Sequence, residues 1–519
     1  MLKLRNESLD WSLANIEKDG DTDIFPVPFE YKAIRYCWDE SVRPYLRNIN
    51  LLEWNIKPFR RALTPKHRFG FRVATQLDPL DTIIFNSLIY EIGNDIELFR
   101  LPKEKRISFS NRFLPNNDGQ MFDPEYNWKS FQDWNLELCD SGKYNYVIVA
   151  DIADFYSRIY SHPLENALSE CTNKSNHVRK IISMIKDWNC SISYGIPIGP
   201  NGPRLLAELA IDDIDRGLIS EGYTHCRYVD DFRFFCETEV DAYKQLAYFA
   251  NMLFENHGLT LQQHKTKILK IEHFREKYLK SDDDKEIDNL SEKFDKILDD
   301  IGIDNFYEFI DYDELDIEIQ MEIDELNLID LLEEQIEEEQ IDSKAVAFIL
   351  NRLGQVNNPD ALDIIIDNID KLYTVFKNIF IYLNKLTCLT KEQKSDYGEE
   401  LLSLLDTSIV GHLEYHRAWL FDLFSKDQEW NNTEKYVNLY NQHPDEFSRR
   451  KMILALGKSG SNHWFKTYKR NIHSLSPWLK RAFLSGASCL PGDEATHWYR
   501  SISGSLDFLE KTVVNWTNR

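Results

Sequence analysis

Apolar residues fall in short uninterrupted bursts in one part of the chain and recur at helical spacing in the rest. Between 144 and 280 the bursts YVIVA, CRYV and FRFF have the length of strands and alternate with amphipathic stretches, which predicts a sheet with helices on one face. Residues 1–145 mix aromatic and charged residues with Pro-containing turns and read as short helices, LDTIIFNSLIYEI among them, joined by loops. Residues 281–340 keep Leu, Ile, Phe and Met at intervals among carboxylates and read as acidic amphipathic helices. From 341 onward the phrases RAWLFDLF, RKMILALG and RAFLSGAS start at Arg417, Arg450 and Arg481, 33 and then 31 residues apart, and His463-Trp464 recurs as His497-Trp498 after 34. Periods of that size mark helix pairs that bury their apolar faces only by stacking, so a HEAT-like repeat domain is expected. The division is 1–145, an N-terminal region; 146–280, a sheet domain; 281–340, an acidic connector; and 341–519, helical repeats.

Charge changes the picture only locally. The net charge is -25, yet residues 281–340 hold 25 Asp/Glu against 3 Lys and account for -22 of it. An acidic chain ordinarily argues against nucleic acid, but residues 57–72, KPFRRALTPKHRFGFR, carry six Lys/Arg and no acid. At 519 residues, with 43% hydrophobic and 28% charged, the chain is globular and of several domains rather than disordered or collagen-like. Its eight cysteines are scattered without a C-x-x-C pair, so neither a disulfide framework nor a zinc site is expected. No apolar run has the roughly 18 residues a membrane span needs, and the start lacks a signal-peptide core, so the expectation is a soluble cytoplasmic protein without a membrane partner.

The chemistry sits where carboxylates interrupt the apolar bursts. Asp151 directly follows the run Tyr146–Ala150; a charge at the end of a buried strand is costly unless it is paired or coordinated. THCRYVDDFRFFCET reads as a β-hairpin with Asp230 and Asp231 in its tight turn, where Asn-Gly or Asp-Gly is the usual choice. Adjacent carboxylates at a hairpin tip violate local preference, and such violations concentrate at functional sites. Each feature alone also fits a helix cap or a plain turn. Together they suit two-metal phosphoryl transfer, in which two Mg²⁺ ions, or Mn²⁺ in their place, activate an attacking hydroxyl and stabilise leaving pyrophosphate oxygens.

With these residues in hand the sequence resembles the reverse transcriptases. DIADFY resembles motif A and YVDD motif C, which implies that Asp151 and Asp230 are the principal metal ligands and Asp231 a weaker one. SYGIPIGPNGPRLLAELAIDDIDRGL resembles motif B; Gly195, Gly199 and Gly202 permit close backbone approach to a nucleotide, and Leu205, Leu206, Leu209, Ile214 and Leu218 give the following helix an apolar face. The resemblance implies that Tyr156 is a steric gate selecting deoxynucleotides. HGLTLQQHKTKIL resembles motif D, whose proton-donating lysine would be Lys265, with Lys267 the competing candidate. The basic patch and FRVATQLDPLDTI resemble fingers motifs, so Arg72 and Lys66 or Arg68 would bind the phosphates of the incoming dNTP.

GIPIGP departs from the GxPQG of ordinary reverse transcriptases, with Ile198 in place of Gln and Pro203 where Ser is common. With ISFSNRF at 107–113 and the helical C-terminal region, the chain resembles the bacterial abortive-infection (antiphage defence) reverse transcriptases, most of all the type carried by P-two-type prophages. That resemblance implies an α+β fold: fingers and palm with an antiparallel palm sheet, then an all-α repeat domain in place of a thumb, assembled as a homo-oligomer. Relatives extend single-stranded DNA without a template from a tyrosine hydroxyl of the protein itself, which leaves the product covalently attached. Tyr31, Tyr36 and Tyr45 are the candidates here. RNA-templated synthesis, and a non-catalytic assembly that binds a phage partner or nucleic acid, are the alternatives.

Overall fold

The computed structural model describes residues 1–67, 70–279, 323, 326–338, 341–430 and 433–518. Arg68 and most of the acidic connector 281–340 lie outside the described residues. No described helix is long and apolar enough to cross a membrane. The chain forms two compact units, one made of Met1–Asp23, Trp38–Arg60 and Thr75–Asp284, the other of Ile24–Cys37, Arg61–Ala74 and Lys285–Arg519.

In the first unit, strands β3 (Tyr146–Asp151), β4 (His225–Tyr228), β5 (Asp231–Cys236) and β6 (Lys267–Lys270) form one antiparallel sheet in the order β4-β5-β3-β6. Side chains alternate between its faces. Phe232 and Phe234 pack on Phe249 of the helix Glu239–His257, with ring centroids 4.6 and 5.0 Å apart. Val147, Val149, Cys226 and Phe235 form a core with Phe131 and Phe274, from the helices Trp128–Asp140 and Ile271–Tyr278. The sheet is therefore covered on both faces, not on one. YVIVA accordingly reads as a continuous apolar run, because neither face of β3 meets water.

The N-terminal region also differs from the expected short helices and loops. The basic patch lies on a two-stranded hairpin, β1 (Arg60–His67) and β2 (Gly70–Gln76). LDTIIFNSLIYEI belongs to a 21-residue helix, Pro79–Phe99, which Asp78 caps by accepting the Leu80 N–H. The helix expected after the glycine-rich loop is split at Ile211 into Gly202–Ala210 and Asp212–Ser220.

In the second unit every described regular element from Leu328 to Thr517 is a helix. The recurring phrases occupy equivalent places on the helices Glu414–Lys426, Glu446–Lys458 and Pro477–Gly486. Arg417 reaches Asp445 at 3.0 Å, just before the second helix, and Arg450 reaches the Trp478 carbonyl of the third at 2.9 Å. Two of the three recurring arginines thus contact the start of the next helix, whereas Arg481 reaches Glu30.

Candidate active site

The antiparallel register sets Asp151, the last residue of β3, directly opposite Asp231, the first of β5. The hairpin turn is shifted by one residue from the expected place. Tyr228 pairs with Asp231, so Val229 and Asp230 occupy the turn and Asp231 already belongs to the strand. Val229 has φ 54°, in the left-handed region that the first turn position of a tight hairpin requires but that a β-branched residue disfavours. The Ile152 N–H donates to the Asp230 carbonyl at 3.2 Å, tying the turn to the end of β3.

A third segment closes on the same point. The Gln262 N–H donates to the Asp151 carbonyl at 2.7 Å, and Lys265 Nζ donates to Asp151 Oδ2 at 2.6 Å. Of the two motif D lysines, Lys265 is the one at the carboxylate; Lys267 lies in β6 opposite Val149. Burial works against the Lys265 ammonium, but its hydrogen bond to Asp151 and the charges of Asp151, Asp231 and Asp230 outweigh this and raise its pKa. Burial, reinforced by Asp151, raises the pKa of Asp231, although Arg233 and Lys265 oppose it. Among the described residues no group of three His, Cys, Asp or Glu side chains is placed as a cation cage. The donor chemistry nevertheless fits a hard divalent cation: three carboxylates share one neighbourhood, and a lysine ammonium supplies positive charge there.

The motif B loop is tied to Thr75 and to the segment that follows β3. The Thr75 N–H donates to the Ile198 carbonyl at 2.9 Å, and Gly199 has φ +125° with a Cβ position 3.1 Å from Thr22 Oγ1 and 3.2 Å from the Thr75 carbonyl, so only glycine fits. Tyr156 accepts the Ile196 N–H at its backbone carbonyl at 2.9 Å. Burial raises the Tyr156 phenol, whose charged neighbours include Arg204, Glu208 and Asp230. Lys66 is exposed on β1 and Arg72 half-buried on β2, in the stretch that belongs to the second unit.

Sequence reasoning passed over Arg204, which pairs with Asp23 at 2.9 Å, and the buried Glu208–Arg227 pair at 2.6 Å. A signal for Glu208 was present: it is the one carboxylate inside the apolar phrase LLAELA. The three tyrosines differ sharply. Tyr31 is 5% exposed, Tyr36 is 54% exposed, and Tyr45 is half-buried with its ring 6.5 Å from that of Trp54.

Residues 117–294 match the reverse transcriptase (RNA-dependent DNA polymerase) family model, so a reverse transcriptase domain is present and spans the four-stranded sheet. Curated proteins gave no match. Among solved structures, apo telomerase from Candida tropicalis truncated from its C-terminal domain superposes with a TM-score of 0.30 at 15% identity, covering 42% of this chain and 50% of that one. The chain thus spans half the length of that protein. Apo telomerase from Candida tropicalis gives 0.35 at 12% identity with coverages of 77% and 72%, and Candida albicans telomerase with a telomeric RNA fragment gives 0.32 at 11% with 79% and 71%.

Proposed function

We propose that this chain is a DNA polymerase of the reverse transcriptase type that acts in bacterial antiphage defence by abortive infection. In this reading it adds dNTPs without a template, primed by one of its own tyrosines, as a cytoplasmic homo-oligomer with a HEAT-like repeat domain in place of a thumb. The observation that carries it is the cross-strand placement of Asp151 and Asp231 with Asp230 in the adjoining turn. Asp151 and Asp230, supported by Asp231, would hold two Mg²⁺ ions, or Mn²⁺, which supply charge stabilisation to the attacking hydroxyl and the departing pyrophosphate. Lys265, which donates to Asp151, would give a proton to the pyrophosphate oxygen. Tyr156 excludes a 2'-hydroxyl, Gly199 lets the loop backbone approach the nucleotide, and Lys66 and Arg72 bind its phosphates, the role also assigned to Arg68. Tyr36, exposed where Tyr31 is buried, is the first choice for the priming hydroxyl.

The family match over residues 117–294 favours a second reading, RNA-templated synthesis. One experiment separates them. The purified chain is incubated with labelled dNTPs and Mg²⁺ without template or primer, beside a variant with Asp230→Asn and Asp231→Asn. Label attached to protein in the wild type and absent from the variant supports the first reading. Synthesis only on a primed RNA supports the second, and incorporation by the variant equal to wild type rejects catalysis at this site.

A further inference from the structure

Behind the Val229–Asp230 turn, a carboxylate that belongs to no metal-binding motif gathers five donors. Glu208, on the helix Gly202–Ala210, has no exposed side-chain surface. Its Oε2 accepts from Arg227 Nη1 at 2.6 Å and from Arg100 Nη2 and Ser108 Oγ, both at 2.9 Å. Its Oε1 accepts from Ser110 Oγ at 2.5 Å and Asn111 Nδ2 at 3.1 Å. Burial alone would raise the Glu208 carboxyl; the Arg227 and Arg100 guanidinia and the Ser110 hydroxyl outweigh it and hold the pKa below its ordinary value. The group is a fixed anion.

Two of the five donors also grip the turn. Arg227 Nη1 donates to the Val229 carbonyl at 3.1 Å, and Ser110 Oγ accepts the Val229 N–H at 2.8 Å. The Ser110 hydroxyl is used in both directions, its proton on Glu208 and a lone pair on Val229. Asp215 accepts from Arg227 Nε at 2.8 Å, which fixes the plane of the guanidinium. The backbone repeats the attachment: Arg227 N–H donates to Ile107 O at 2.7 Å and Phe109 N–H to Arg227 O at 3.0 Å. A left-handed conformation strains a β-branched residue such as Val229, and here both polar groups of that residue's backbone are held by side chains, the N–H by Ser110 from outside the hairpin and the carbonyl by Arg227 of β4.

We propose that Glu208 and Ser110 are positioning residues for the carboxylates at the hairpin tip. Neither touches nucleotide or cation. Glu208 orients the Ser110 hydroxyl and the Arg227 guanidinium, these fix Val229, and Val229 fixes where Asp230 stands relative to Asp151. The effect on rate rests on the polymerase reading above; the effect on cation binding does not need a nucleotide.

The test uses the full chain with Ser110→Ala, Ser110→Thr and Ser108→Ala. Ser108 shares Glu208 but makes no contact with the turn among those described, so it is the matched control. Mn²⁺ binding is read without nucleotide by counting free ion with electron paramagnetic resonance; kcat, dNTP KM and the unfolding midpoint are read alongside. Ser110→Ala weakens Mn²⁺ binding and lowers kcat by about 10–100-fold, the range for partners that orient a metal ligand, with KM changed less than about 2-fold. Ser110→Thr keeps the hydroxyl and restores both, and Ser108→Ala changes stability without changing Mn²⁺ affinity. If Ser110→Ala does not fold, Ser110→Cys, which keeps the shape with a weaker donor, takes its place with the same expectation at reduced size. Equal losses in the Ser108 and Ser110 variants, or Mn²⁺ affinity unchanged by either, overturn the inference and leave the polymerase reading intact. A wild-type chain that binds no Mn²⁺ and incorporates no dNTP removes both.

Discussion

Glu30→Gln gives a sharp energetic test of the second unit. Glu30 opens the helix Glu30–Tyr36 and is fully buried, accepting from Arg481 Nε at 2.7 Å and from Arg450 Nη2. The two arginines lie over aromatic faces, Arg450 over Phe29 at 4.8 Å and Arg481 over Trp478 at 4.6 Å. Burial pushes the Glu30 carboxyl up, but the Arg450 and Arg481 charges prevail and bring it from 4.5 to about 2. At about 1.4 kcal/mol per pH unit, that difference corresponds to about 3 kcal/mol. The folded pKa is depressed, so this stability is present above pH 4.5 and is lost as the pH falls through 2. Gln at position 30 leaves two buried guanidinia facing a neutral amide, a loss of about 3–5 kcal/mol. For a unit of this size, about 2–4 °C per kcal/mol lowers its melting transition by roughly 6–20 °C. Calorimetry of the full chain at pH 7 reads the shift. A companion with Met at 30, 450 and 481 recovers most of it, because apolar groups of similar volume leave no buried charge unpaired. A Glu30→Gln midpoint within about 1 °C of wild type, or above it, would refute the reasoning.

Three further outcomes follow from the same geometry. Lys265→Gln, which keeps a donor near Asp151 but not its charge, lowers kcat for dNTP addition by about 10²-fold in single-turnover measurements. On the proposed protein-primed reading, Tyr36→Phe abolishes covalent attachment of labelled DNA to the chain, whereas Tyr31→Phe, at a buried position, keeps it. His416, which burial lowers from 6.5 to about 4, resists protonation in the fold while the open chain takes the proton, so stability falls by about 3 kcal/mol as the pH drops from 6.5 to 4. Chemical denaturation across that range shows a flatter profile for His416→Phe than for wild type.

The parts that could be read from sequence are those in which one short segment carries the whole signal. YVIVA followed by Asp151 states a strand buried on both faces and ending in a charge. The arginine period at 417, 450 and 481 is visible because the three arginines stand at equivalent places on their helices, the first two reaching the start of the next helix. Where segments far apart decide the outcome, the sequence is silent. Glu30 lies 420 residues from Arg450 and 451 from Arg481, so nothing near YKAIRY announces that its helix packs into the C-terminal unit. The turn was misplaced by one residue because steric preference puts small or polar residues at positive φ, and Val229 is held there by Ser110, 119 positions earlier. Which helix covers the second face was hidden for a related reason: the Trp128–Asp140 helix precedes β3 and shows nothing of its docking face to a reader of the strands.

The hairpin tip carries costs that cannot be relieved locally. Asp151 and Asp231 face each other across β3 and β5, and sliding one strand by a residue would carry Phe232 and Phe234 to the opposite face from Phe249. The register is therefore fixed by the core, and the like charges stay together. Opposite charge offsets them where solvent does not reach. Lys265 supplies one cation at 2.6 Å from Asp151, and Arg233 a second, more distant one at 3.7 Å from Asp231. Arg233 also spends a donor on the Phe232 carbonyl at 2.9 Å. Three carboxylates against two cations leave the cluster formally negative, with Asp151 buried and Asp230 and Asp231 half-buried. The first unit thus holds a standing demand for positive charge at one end of its sheet, set by the packing of phenylalanines on the face below. On the proposed reading a hard divalent cation would meet that demand without disturbing the register.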